Sequence, residues 1–333
     1  MPENKNSSFQ HRQSAHCESG VVAALLTHHG LPMSEPMAFG LSGALAFAYI
    51  PLIKMAGMPL IAYRMPPGHI IRGVQKNVGV RMTRRTFRDP ARGLRELERE
   101  LDAGRAVGLQ TCVYWLPYFP EQMRFHFNAH NLIAYGREDN DYLVSDPIFE
   151  YTSRCSREAM QKARFAKGAL AAKGLMYYPT QLPLEIDYAR AIRKAIRANF
   201  RTMNQAPLPI IGIRGIRHLA RSIVKLSKSK NAAQLPLYLA HIVRMQEEIG
   251  TGGAGFRFIY ASFLQESAKL LDNALLAEAS SALTDAGDEW RLFALQASKM
   301  CRNRKPMDVE ELSSILNRCA DREAGTWQLL RKL

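Results

Sequence analysis

Apolar positions recur along this chain with two different periods, and the change from one to the other divides it. Val21, Val22, Leu25 and Leu26 have helical spacing and Gly30 is a natural helix end, so the pattern predicts a helix from Cys17 to Gly30. Residues 31–64 are broken by Pro32, Pro36, Pro51 and Pro59 and read as loops and short strands, among them Leu60–Tyr63. Pro90–Asp102 (PARGLRELERELD) is an amphipathic helix ending near Gly104. Ala106–Trp115 is rich in β-formers. Asn131–Tyr135 and Tyr142–Ser145 are short apolar runs joined by a polar turn, the pattern of a β-hairpin. From about Leu184 onward the period is helical almost throughout, over Asp187–Asn204, Ile213–Leu226, Leu235–Ile249, Phe256–Leu283, Asp288–Met300 and Asp308–Leu316. The expected fold class is α+β, with a mixed domain over residues 1–180 followed by an all-helical domain over 181–333, joined somewhere in 150–183.

Composition changes this picture little, whereas charge adds to it. The 333 residues, 47% hydrophobic and 23% charged, suffice for two ordinary domains. The most apolar run, Phe39–Ile53, contains Pro51 and ends at Lys54, short of the roughly 20 residues of a membrane helix. It is expected to be buried core, with no integral membrane segment. Residues 1–16 are polar and lack the apolar core of a secretory leader, and five irregularly spaced cysteines suit neither a disulfide framework nor a metal site. A cytoplasmic protein without a metal is the expectation. The net charge of +15 is concentrated: residues 151–230 hold 17 Lys/Arg against 3 Asp/Glu, whereas 1–150 hold 16 against 14 and 231–333 hold 12 against 13. Such a block suits an anionic partner. Arg190, Arg193, Lys194, Arg197 and Arg201, three or four apart, line one side of a predicted helix. No nucleic-acid-binding signature accompanies them, and nucleic acid is not an expected partner.

The chemistry rests on three short segments. His16-Cys17-Glu18-Ser19-Gly20 opens a helix, where unpaired backbone N–H groups and the positive dipole end favour a thiolate. His130 leads into one strand of the hairpin, and Asp146, in Ser145-Asp146-Pro147, ends the other, so pairing brings the two side by side. A nucleophile, a base and a residue orienting the base are the parts of a cysteine-dependent acyl-transfer site. Each part alone is commonplace; their order along the chain is the more specific signal. Gln13 is a candidate oxyanion donor, alongside the backbone N–H of Cys17. Trp115 and Tyr118 are candidates to wall an acyl or acceptor pocket, with core packing as the alternative. Gly250, Gly252 and Gly255 satisfy a dinucleotide pattern but follow a helical segment, and read as a helix–loop–helix junction. Arg257, just after them, is a candidate for a substrate phosphate or carboxylate, or equally for a structural ion pair.

HCESG, LPMSEPMAFGLSGALAFAY and FHFNAHNLIAYGREDNDYLVSDP resemble the N-terminal domain of the butirosin biosynthesis protein H family. GTGGAGFRFIYASFLQESAKLLD resembles the helical domain that accompanies it. The resemblance implies a papain-like fold related to bacteriocin-processing cysteine peptidases, used as an acyltransferase of specialised metabolism. In butirosin assembly the acyl group travels as a thioester on an acyl carrier protein and is delivered to an aminoglycoside amine. Cys17, His130 and Asp146 fall on the triad positions. Ser34, Glu35 and Gly40 match a second family motif, and Ser34 and Glu35 join the candidate oxyanion or substrate-binding residues. Thr111 to Tyr118 departs from the family, which often carries an acidic residue before its aromatic Leu-Pro-Tyr stretch. The expected partners are an acidic acyl carrier protein, docking on the basic helix, and a small-molecule amine or hydroxyl acceptor. The chain itself needs no cofactor, because the carrier brings the phosphopantetheine. Hydrolysis by the same triad, as a peptidase, amidase or thioesterase, is the alternative activity.

Overall fold

The computed structural model describes residues 9–55 and 57–333. In chain order its main elements begin α1 (Cys17–His28), α2 (Glu35–Leu41), β1 (Leu45–Met55), β2 (Met58–Arg64), α3 (His69–Val78), β3 (Arg81–Arg85), α4 (Pro90–Asp102) and β4 (Val107–Thr111). Next come β5 (His130–Glu138), β6 (Asp141–Ser145), β7 (Ser153–Ser156), α5 (Arg157–Phe165) and β8 (Met176–Gln181). The remainder is helical: α6 (Tyr188–Asn204), α7 (Gly212–Ser227), α8 (Leu235–Val243), α9 (Arg257–Leu271), α10 (Ala274–Cys301) and α11 (Val309–Leu330). The chain forms two compact units, one from the stretch up to Ala38 with Pro67–Ile186, the other from Phe39–Pro66 with Asp187–Leu333.

The first unit is built on a six-stranded sheet in the order β3-β8-β4-β5-β6-β7, every pairing antiparallel. Alternation along β4 sends its residues to two different layers. Val107 and Leu109 enter a core with Leu94, Leu97 and Leu101 of α4 and Met160 and Ala163 of α5. Gly108 lies on the opposite face, where a Cβ would stand 3.0 Å from a Leu25 methyl of α1 and 2.5 Å from the Tyr177 ring. Each leucine buried in this way contributes about 1.5–3 kcal/mol. Strand β4 is shorter than the Ala106–Trp115 run suggested. The Cys112 N–H leaves the ladder for the Ala163 carbonyl of α5 at 2.8 Å, and Val113–Trp115 forms a 3-10 turn.

The second unit packs the hairpin β1–β2 with the C-terminal helices. Phe47 and Tyr63 contact Trp290 of α10, and the Tyr49 N–H donates to the Ile210 carbonyl just before α7. This partition corrects the expected boundary: residues 39–66 join the helical body and not a 1–180 domain, so that body is not entirely helical. Only the first part of Phe39–Ile53 is core. Phe39, Phe47 and Tyr49 are buried, but Leu52 is 94% exposed near the hairpin tip. The expected helix Phe256–Leu283 is interrupted, because Asp272 takes a left-handed conformation (φ 46°) and Asn273 caps α10 by accepting from the Leu276 N–H. α10 then runs on through the separately expected Asp288–Met300 segment.

Candidate active site

Local capping sets where Cys17 stands. His16 is extended (φ −132°, ψ 133°) and its Nδ1 accepts from the Ser19 N–H at 3.3 Å, so the helix begins at Cys17. Glu35, at the start of α2, holds the approach to that turn. Its Oε2 accepts from the Ala15 N–H at 2.9 Å, and its Oε1 accepts from the His16 N–H at 2.8 Å and the Ser19 hydroxyl at 3.0 Å. Burial raises the Glu35 pKa, and these three hydrogen bonds oppose the rise. Gly20 lets the same turn approach the end of β6: a Cβ there would lie 2.6 Å from Ser14 Cβ and 2.9 Å from Pro147 Cβ. The Ser14 N–H donates to the Pro147 carbonyl at 2.6 Å, closing that contact.

His130 is the first residue of β5, paired with Thr111 of β4, and Asp146 follows the last residue of β6. His130 Nε2 lies 2.7 Å from Asp146 Oδ2. Its other ring nitrogen, Nδ1, is therefore the one left to face Cys17, whose sulfur is near enough to raise the His130 pKa. The group is well shielded, with Cys17 8% exposed, His130 4% and Asp146 0%. Burial acts most strongly on His130 and disfavours its charge. The Asp146 carboxylate and Cys17 together outweigh burial and hold the His130 pKa up at about 10. The imidazole thus keeps its proton at neutral pH beside the sulfur.

Asp146 has two further donors, the Tyr118 hydroxyl to Oδ2 at 2.9 Å and the Ile148 N–H to Oδ1 at 3.3 Å. Phe119 stands edge-on to the His130 ring with centroids 5.4 Å apart. His11 bridges the strand end from the N-terminal segment, its Nδ1 2.7 Å from Ser145 Oγ and its Nε2 3.0 Å from the Phe149 carbonyl.

The other expected site residues are distributed differently. The half-buried Tyr118 turns its hydroxyl to Asp146. Trp115 is half-buried against the α4–α5 core, with Lys162 Nζ 5.3 Å from its ring centroid. Gln13 is exposed and its amide donates to the Ile148 carbonyl at 3.4 Å, whereas the Cys17 N–H lies in the first turn of α1, where backbone donors have no partner within the helix. Ser34 Oγ accepts from the Met37 N–H, capping α2, next to the Glu35 that holds the turn before Cys17. Arg257 is a structural residue of the second unit. It is fully buried, bonds Glu323 through Nε at 2.9 Å and Nη2 at 3.1 Å, and donates through Nη1 to the Gly255 carbonyl at 2.8 Å. Trp290 Nε1 completes the pair by donating to Glu323 at 2.6 Å. Arg190, Arg193, Lys194, Arg197 and Arg201 all lie on the exposed side of α6, opposite Ala191, Ile192, Ala195 and Ile196.

Sequence reasoning did not single out His11, nor foresee how His16, Gly20 and Glu35 act. His11 finds its partners more than 130 positions away, and histidine is an uncommon helix cap, so neither carries a local signal. Among the described residues no group of three or more His, Cys, Asp or Glu side chains is arranged to hold a metal ion. No described helix is long and apolar enough to cross a membrane. Two surface concavities, one of about 260 Å³ beside Arg12 and His28 and one of about 610 Å³ between Leu235 and Met307, are not lined by Cys17, His130 or Asp146.

A helix-capped cysteine, a strand histidine and an aspartate on the neighbouring strand give the first unit the layout of a papain-like cysteine-enzyme domain. Residues 16–147 match the family model for the N-terminal domain of butirosin biosynthesis protein H, and residues 158–330 match a domain of unknown function, DUF4872. The chain belongs to the butirosin biosynthesis protein H family. No curated protein matches it. Among solved structures, one named as a C39-like peptidase from Bacillus anthracis is similar at 14% sequence identity and a TM-score of 0.38, over 53% of this chain and 96% of that chain.

Proposed function

We propose that this protein is an acyltransferase of specialised metabolism that carries its acyl group on Cys17. The observation carrying this reading is the engagement of His130 Nε2 by Asp146 at 2.7 Å, which fixes the ring with Nδ1 toward the cysteine at the head of α1. The sulfur attacks the carbonyl of a carrier-protein thioester, and the oxygen's developing charge is met by the Cys17 N–H. The tetrahedral species collapses by breaking the carrier's C–S bond, and His130 gives its proton to the departing thiolate. An amine or hydroxyl acceptor then attacks the acyl-enzyme, His130 takes the acceptor's proton, and the Cys17 thiolate leaves. No metal or redox partner enters this sequence.

Membership of the butirosin biosynthesis protein H family supports transfer over hydrolysis. The cationic side of α6 supports an acidic carrier protein as the donor, because a stripe of five basic side chains attracts and orients such a partner. The hydrolytic reading uses the same triad and differs only in what resolves the acyl-enzyme. A single-turnover experiment separates the two. Acyl-enzyme formed from a carrier thioester is mixed with a panel of aminoglycoside and other amines, and loss of the acyl mass is followed against water alone. Transfer is expected to give an acylated amine and a faster decay. Decay at the same rate in every mixture, with free acid as the only product, would make the enzyme a hydrolase.

A further inference from the structure

Asp146 Oδ2 accepts two hydrogen bonds, from His130 Nε2 at 2.7 Å and from the Tyr118 hydroxyl at 2.9 Å. A buried carboxylate needs such donors, since no water reaches it. The Tyr118 ring is held between Phe119, centroids 5.3 Å apart, and Phe149, centroids 5.6 Å apart, so the hydroxyl has little freedom to turn elsewhere. Burial and the Asp146 charge, with a smaller contribution from Cys155, push the Tyr118 pKa well above its ordinary value, and the hydroxyl therefore keeps the proton that it donates to Asp146.

We propose that Tyr118 is the positioning residue of the triad: its hydroxyl aims Asp146 Oδ2 at His130 and shares that oxygen's negative charge, so that His130 can release its proton to the leaving thiolate. The proposal rests on the Cys17–His130–Asp146 reading above. An aspartate facing His130 alone would hold the imidazolium more tightly, and the proton needed by the departing carrier thiol would be given up more slowly. The ionisable groups around the pair are Cys17 on α1, Cys155 on β7 and His11 on the N-terminal segment, besides Tyr118 itself.

Tyr118→Phe keeps the ring and removes only the donor. The His130 ring is titrated by nitrogen NMR in the wild type, Tyr118→Phe and Cys17→Ala, and acyl-enzyme formation from a carrier thioester is timed in the first two. In Tyr118→Phe the His130 titration is expected to move upward. Formation of acyl-enzyme is expected to slow roughly tenfold, the rate equivalent of one hydrogen bond to a charged group, while the melting temperature falls by no more than a few degrees. A His130 titration and an acylation rate matching the wild type overturn the role of Tyr118 while leaving the triad intact. A His130 titration that does not respond to Cys17→Ala removes the triad reading, and the Tyr118 proposal with it. A Tyr118→Phe protein with a clearly lower melting temperature and an unshifted titration makes Tyr118 a packing residue only.

Discussion

Glu35 gives both carboxylate oxygens to the turn that delivers Cys17. Glu35→Ala is expected to leave the Ala15 and His16 N–H groups without their acceptor and to slow alkylation of Cys17 by iodoacetamide. Glu35→Gln keeps the acceptor oxygen and should fall between the two. Equal rates in all three proteins would contradict the scaffold role. His130 makes a second prediction at this scale. Its folded pKa of about 10 lies above the ordinary 6.5, so folding favours the protonated ring. That stabilisation is complete below about pH 6.5 and is lost as pH rises through 10. The stability gap between wild type and Asp146→Asn, from urea unfolding, should therefore narrow between pH 6.5 and 10; parallel curves would count against the pair. The placement of Cys17, His130 and Asp146 was legible because each sits at an element end that the chain's pattern marks: a helix start for Cys17, a strand start for His130 and a strand end for Asp146. Glu35 and Tyr118 were named in sequence without their partners, since nothing in their neighbourhood says that these are a backbone turn and a buried carboxylate.

Elements follow the apolar period closely where a cap or proline also marks the end, and loosely elsewhere. Pro90–Asp102 has the expected bounds because Asp89 caps it, accepting from the Ala91 and Arg92 N–H groups, and Pro90 occupies the first turn. The Ala106–Trp115 run overreached because β-propensity cannot show that the Cys112 N–H is taken by a helix carbonyl. The stripe through Phe256–Leu283 concealed a break of two residues, Asp272 and Asn273, whose types are the ordinary signal for one. Asn273→Ala should destabilise the helical unit by about 1 kcal/mol through the lost cap, seen as a lower urea midpoint at constant slope. Gly20 carries the firmest prediction at this scale. Gly20→Ala places a methyl against Ser14 and Pro147 and is expected to cost about 1–3 kcal/mol while drawing Cys17 away from His130. An alanine variant with unchanged stability and Cys17 alkylation rate would show that the close approach is not required.

At the scale of the molecule, the α+β class and the helical C-terminal region could be read from the change of period, but the partition could not. Hairpin residues 39–66 belong with the helical body because Phe47 and Tyr63 contact Trp290, a pairing across more than 220 positions that no local pattern announces. In the same core Arg257, Glu323 and Trp290 form a closed set. Glu323→Gln leaves a buried guanidinium short of its counter-charge and should cost roughly 3–5 kcal/mol by urea unfolding. The exposed stripe on α6 is a property of the whole chain's charge, most of which is gathered in residues 151–230. The most direct test of the account is the intact mass of the protein after mixing with an acyl-loaded acidic carrier protein. The wild type is predicted to gain the mass of one acyl group, lost on treatment with hydroxylamine, and Cys17→Ala to gain none. No adduct with any carrier thioester, or an adduct that persists in Cys17→Ala, would contradict it.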